Sequence, residues 1–87
     1  MQTIYKYPFG ITDIQTVDLP INHKILHVGL DPQGTPCLWA IVDSEQTQTN
    51  PKVLFVVGTG HPMPTVPVSH LGSFAQGPFM WHIFVSY

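Results

Sequence analysis

Apolar and polar residues alternate along this chain in short runs, and prolines and glycines separate the runs. Alternation with a period of two marks a strand with one face buried. The pattern predicts a strand over Thr3–Tyr7, rich in β-branched and aromatic types and stopped at Pro8. A second spans Ile14–Leu19, with Ile14, Thr16 and Asp18 set against Gln15, Val17 and Leu19. A third spans Lys24–Leu30. Asp31-Pro32-Gln33-Gly34 then reads as a hairpin turn, in which proline presets φ and glycine supplies a positive one. Thr35–Asp43 forms a fourth strand with Cys37, Trp39 and Ile41 on one face and Leu38, Ala40 and Val42 on the other. Both faces are apolar, which places it centrally. Ser44–Asn50 is polar throughout and is expected to be a mobile exposed loop. Lys52–Val57, His70–Phe74 and Phe79–Tyr87 complete the set, with a proline-rich loop over Gly58–Pro67 and a break at Gln76-Gly77-Pro78.

Nine prolines leave no long stretch free except the strand runs, and no helix is expected. The expected fold is all-β, one domain over residues 1–87. It is read as a small antiparallel sandwich or partly open barrel of six or seven short strands.

Three runs, Cys37–Val42, Val53–Val57 and Phe79–Val85, are apolar on both faces. A sheet with one buried face shows clean alternation, so an outer face is expected to be covered. Charge points the same way. Only three lysines and five carboxylates occur, 9% of the residues, where about a quarter is usual. A chain of this mass exposes roughly 5,000 Å² when folded, and the polar groups here are too few to cover it. The inference is a homo-oligomer.

The same counts limit the partners. Three scattered lysines without any arginine make no basic stripe, so duplex nucleic acid is not expected to bind. No apolar run approaches the ~20 residues of a membrane span. A single cysteine, Cys37, permits no internal disulfide, and the first residues lack the features of a signal peptide. Both favour the cytosol.

Five histidines, at 23, 27, 61, 70 and 82, raise the question of a metal. His23 and His27 lie four apart on a predicted strand, about 13 Å from each other, and one ion cannot bridge them. With no close-spaced ligand pair elsewhere, no metal or other cofactor is expected. Gly58-Thr59-Gly60-His61-Pro62 follows the most apolar strand. It reads structurally as a turn, and functionally as a backbone cradle for an anion with His61 as an added donor. It lacks the lysine and following helix of a phosphate loop. Cys37, mid-strand without a base, reads as a buried apolar residue. No serine lies in a Gly-x-Ser-x-Gly elbow. The residues therefore favour binding over catalysis. The candidate ligand contacts are Gly58, Thr59, Gly60 and His61, with Trp39 or Trp81 as a stacking wall. On the last strand, Phe79, Trp81, Ile83 and Val85 alternate with Met80, His82 and Phe84. The second set is the candidate subunit interface, with His82 as its polar handle, because aromatics and Met concentrate at interface centres.

Ile4-Tyr5-Lys6-Tyr7, Gly34-Thr35-Pro36-Cys37-Leu38-Trp39-Ala40 with Val42-Asp43, Gly58-Thr59-Gly60-His61-Pro62, Gly72-Ser73-Phe74 and Trp81-His82-Ile83-Phe84 run in order along nearly the whole chain. Taken together they resemble a family of small uncharacterised proteins of bacteriophages and prophages. The resemblance carries no assigned activity and no catalytic residues. It implies a dispensable phage gene expressed in the host cytosol. Proteins in that setting often antagonise host defence, by blocking a host protein or sequestering a small nucleotide-like ligand. Members tend to end soon after the Trp-His motif. Here Val85-Ser86-Tyr87 follow, and they are expected to lengthen an edge strand. The alternatives are a minor virion or assembly component, and a small hydrolase using His61 or His82 as general base.

Overall fold

A computed structural model describes residues 1–87. Seven strands form, β1 (Gln2–Pro8), β2 (Ile14–Pro20), β3 (Lys24–Leu30), β4 (Pro36–Asp43), β5 (Thr49–Gly58), β6 (Val68–Gln76) and β7 (Phe79–Ser86). They make two antiparallel sheets, a three-stranded one in the order β1-β4-β3 and a four-stranded one in the order β2-β5-β7-β6. The protein is a small open sandwich about 16 Å through its thinnest direction. No helix is long and apolar enough to cross a membrane.

The strands with two apolar faces occupy the interior positions of their sheets. β4 lies between β1 and β3, and β5 and β7 lie side by side between β2 and β6. Val85 and Ser86 thus lengthen an interior strand and not an edge. The polar stretch after β4 is shorter than its composition suggests. Thr49 and Asn50 already belong to β5, where they pair with Pro20 and Leu19.

Between the sheets lie Leu38, Ala40 and Val42 of β4, Val28 of β3, Leu19 of β2, Leu54 and Val56 of β5, Phe74 of β6 and Ile83 of β7, closed at one end by Phe9. No polar or charged residue is buried with them. Burying this apolar surface is the main term that offsets the entropy of ordering the chain.

β3 runs close against β6. At Gly72 an added Cβ would stand 2.6 Å from Val28 Cγ2, so the approach of the two sheets at this edge depends on the missing side chain.

The β3–β4 turn has the predicted form. The Gly34 N–H donates to the Asp31 carbonyl at 2.9 Å, with Gly34 at φ 83°. The Asp31 carboxylate accepts from the Gln33 and Thr35 N–H groups and from Lys6 Nζ, each at 2.9 Å, which staples β1 to the turn. These donors, the Lys6 ammonium first, hold the Asp31 carboxyl below its ordinary range. A depressed carboxyl contributes stability above the unfolded-state pKa and loses it as pH falls through the folded one. The melting temperature is therefore expected to drop on acidification below the usual carboxylate range. Asp31→Asn should flatten that drop without abolishing it, because Asp43 is also held low, by the Glu45 N–H and the N-terminal ammonium. A thermal melt series across acidic pH reads both effects. An unchanged profile in the Asn variant would contradict this role of Asp31.

Candidate functional site

The connection between β5 and β6 is long because β6 lies two strands from β5, with β7 between them. Residues 59–67 must cross the end of β7, a span of roughly 10 Å at ordinary strand spacing. On its way the loop makes a tight turn. The His61 N–H donates to the Gly58 carbonyl at 3.0 Å, and Gly60 sits at φ 88°. This turn folds the His61 ring back over Gly58. A Cβ at Gly58 would stand 2.9 Å from His61 Nδ1 and 3.0 Å from Trp81 Cζ3, so glycine is what lets the two rings approach.

His61 thereby divides a groove. On one side, a hollow of about 320 Å³ lies among Gly58, Thr59, His61, Phe79, Met80 and Trp81. On the other, a hollow of about 510 Å³ lies between Phe55–Val57 and the His61–Pro64 segment, with Asp13 at its edge. Residues 61–64 therefore arch over β5 of their own chain. In the smaller hollow, Trp81 stacks on Phe79 with centroids 5.4 Å apart, and its Nε1–H donates to Gln76 Oε1 at 3.0 Å. The indole is fixed, while Phe79, 57% exposed, presents a free aromatic edge.

The structure thus brings Gly58, Thr59, His61 and Trp81 together, with Gly60 in the same turn. Two parts of the sequence expectation need correction. Trp39 is not a wall of this site. It lies on β4, in the other sheet, on the face turned away from the core, with the His27 ring 5.5 Å from its own. Nor is the glycine-rich turn an open cradle of donors, since the Thr59 N–H already donates to the Met80 carbonyl at 3.2 Å. Phe79 is the contact that sequence reading missed. It shares a strand face with Trp81, and the hairpin end leaves it uncovered.

Met80, His82 and Phe84 do share the outer face of β7, but His82 is not a free polar handle. Its Nε2 lies 2.8 Å from Thr59 Oγ1 and its Nδ1 2.7 Å from Ser73 Oγ. Ser73 Oγ lies in turn 3.1 Å from His70 Nε2. A four-membered polar chain therefore crosses this face. Strict alternation would put residues 70 and 73 on opposite faces of β6. A bulge between His70 and Gly72 shifts the phase and places both on the outer one. The only signal in the sequence is a glycine inside a short strand.

Cys37 is fully buried, and burial raises its thiol above the ordinary value, so it offers no nucleophile. His23 and His27 have different neighbours, His23 lying 2.8 Å from the Pro20 carbonyl and His27 against Trp39. No three of the His, Cys, Asp and Glu side chains gather into a metal-holding group.

The chain is a small two-sheet β-sandwich that carries an aromatic groove under one long loop. The chain matches the family described as Domain of unknown function (DUF7352) over residues 1–87, and it belongs to that family. No curated protein and no solved structure matches it.

Proposed function

We propose that this protein acts by binding, as a self-associated β-sandwich whose groove beside His61 takes a flat, weakly charged aromatic ligand of the nucleobase or nucleoside kind. The observation that carries the reading is the fixed Trp81 indole with exposed Phe79 beside it, facing His61 across a hollow of about 320 Å³. That volume is at the small end of ligand sites and suits one planar ring system. The resemblance to small phage proteins supports the setting, host-defence antagonism in the bacterial cytosol by sequestration of such a ligand.

Self-association falls to the outer face of the three-stranded sheet. There Trp39 and Ile41 of β4 lie beside Ile4, 55% exposed, with Lys6, Lys24 and Asp43 around them. An apolar aromatic centre inside a charged rim is the usual anatomy of an interface. The outer face of the other sheet is interrupted by the polar chain through His82 and is the poorer candidate.

Incubation with host lysate, repurification and small-molecule extraction tests the ligand. The expected result is a retained aromatic ligand whose binding quenches tryptophan emission. Because an aromatic–base stack contributes about 1–3 kcal/mol, Phe79→Ala should weaken binding roughly 5- to 150-fold. Protein that returns from lysate with nothing bound contradicts the proposal.

A further inference from the structure

The chain Thr59–His82–Ser73–His70 meets the binding groove only at Thr59, and its other three side chains lie outside the groove. Each of its hydroxyls and imidazoles can donate one hydrogen bond and accept another. Run head to tail, the chain has two directions. In the first, His70 Nε2–H donates to Ser73, Ser73 donates to His82 Nδ1, and His82 Nε2–H donates to Thr59. In the second, Thr59 donates to His82 Nε2, His82 Nδ1–H donates to Ser73, and Ser73 donates to His70 Nε2. In both directions the Ser73 hydroxyl donates to an imidazole nitrogen, at 2.7 Å in the first and 3.1 Å in the second. In both, the other imidazole donates an N–H to the same oxygen.

We propose that Ser73 is an activated nucleophile that accepts acyl groups from small activated esters. A serine becomes nucleophilic when a base lies within hydrogen-bond reach and a third group orients that base. Here Thr59 Oγ1, 2.8 Å from Nε2, fixes the His82 ring, and His70 packs at a tilt against Phe84 with centroids 5.2 Å apart. Access is from the outer face of β6, an edge strand. Ser73 itself is half-buried, and Ala75 and Met80 beside it are exposed.

Ser73 Oγ attacks the acyl carbon and its proton passes to the imidazole. The Oγ–C bond forms, the bond from carbon to the leaving oxygen breaks, and the imidazole returns the proton to that oxygen. The products are O-acyl-Ser73 and a free phenol or alcohol, with no change of oxidation state.

The test uses p-nitrophenyl acetate on the full chain, with intact-mass and peptide mapping. Alkaline hydroxylamine afterwards removes serine esters but leaves acetylated lysines in place. The expected result is a hydroxylamine-labile acetyl group on Ser73, formed at least about tenfold faster than on Ser69 or Ser86. Ser73→Ala should abolish the labile adduct. The double variant His70→Gln/His82→Gln should slow it to the rate of those other serines, and His23→Gln, outside both the groove and the polar chain, should leave it unchanged. Circular dichroism of each variant separates loss of reactivity from loss of fold. Ser73 labelling no faster than Ser69 in the native protein, or unaffected in a folded double-glutamine variant, overturns the proposal. The lysate experiment on the groove does not depend on either outcome.

Discussion

Valine at position 72 is expected to cost the fold about 3 kcal/mol, the upper end of what overpacking usually costs. Gly72 lies on the inner face of β6, opposite Ile83, where β6 meets β3. The Cβ alone would come within 2.6 Å of Val28 Cγ2, well inside van der Waals contact. Val28 cannot readily yield. It is 1% exposed, β-branched and held in the core cluster between Leu38 and its neighbours. The strain must then be relieved by moving β6 away from β3, which opens the sandwich along one edge. Valine adds two methyls to that contact, so Gly72→Ala should be damaging and Gly72→Val worse. Gly10 is the control, because a Cβ there meets nothing nearer than 3.9 Å. Gly10→Ala should stay within about 0.5 kcal/mol of the parent. Urea unfolding of the three variants gives the comparison. Equal midpoints for Gly72→Val and Gly10→Ala would contradict the packing described.

Leu54→Ala should be as severe, by about 2–5 kcal/mol. Leu54 is fully buried on the inner face of β5, paired with Gln15 on one side and Val85 on the other. Truncation removes apolar area from both layers and leaves a void that a thin sandwich can close only by bending an interior strand. A domain of this length has roughly 4–13 kcal/mol of stability in all, so this single change takes a large share of it. Leu26→Ala, at a bulge and 46% exposed, is the matched comparison and should be nearly neutral. Similar unfolding midpoints for the two variants would show that the core has been misplaced.

These residues also show where the sequence was informative. Leu38, Ala40 and Val42 alternating with Cys37, Trp39 and Ile41 announced an interior strand, and β4 is one. Seven strands were legible because each run ends at a proline, a glycine or a polar cluster that acts through backbone sterics alone. The Asp31–Gly34 turn was legible for the same reason. The site was only half legible. Gly58 to His61 are consecutive, so their turn could be read locally, and Trp81 was one of the two tryptophans offered as a stacking wall. Trp39 could not be placed, because nothing local says which sheet a strand joins. The link from His70 through Ser73 to His82 was hidden by a bulge, which reverses the facing of every residue beyond it. Parity puts Phe79 on one strand face with Trp81, but parity does not say where a sheet ends and its cover stops.

Low charge now has a structural expression. The molecule exposes 5424 Å², slightly above the roughly 5,000 Å² expected for its mass, and Ile4 stands beside Trp39 on that surface. Sedimentation velocity at micromolar concentration addresses this directly, with the native chain beside Trp39→Lys. A dimer or larger species in the native chain, dissociating to a folded monomer in the lysine variant, is the predicted outcome. A native chain that sediments as a monomer across that range, with no bound partner, would contradict the central claim.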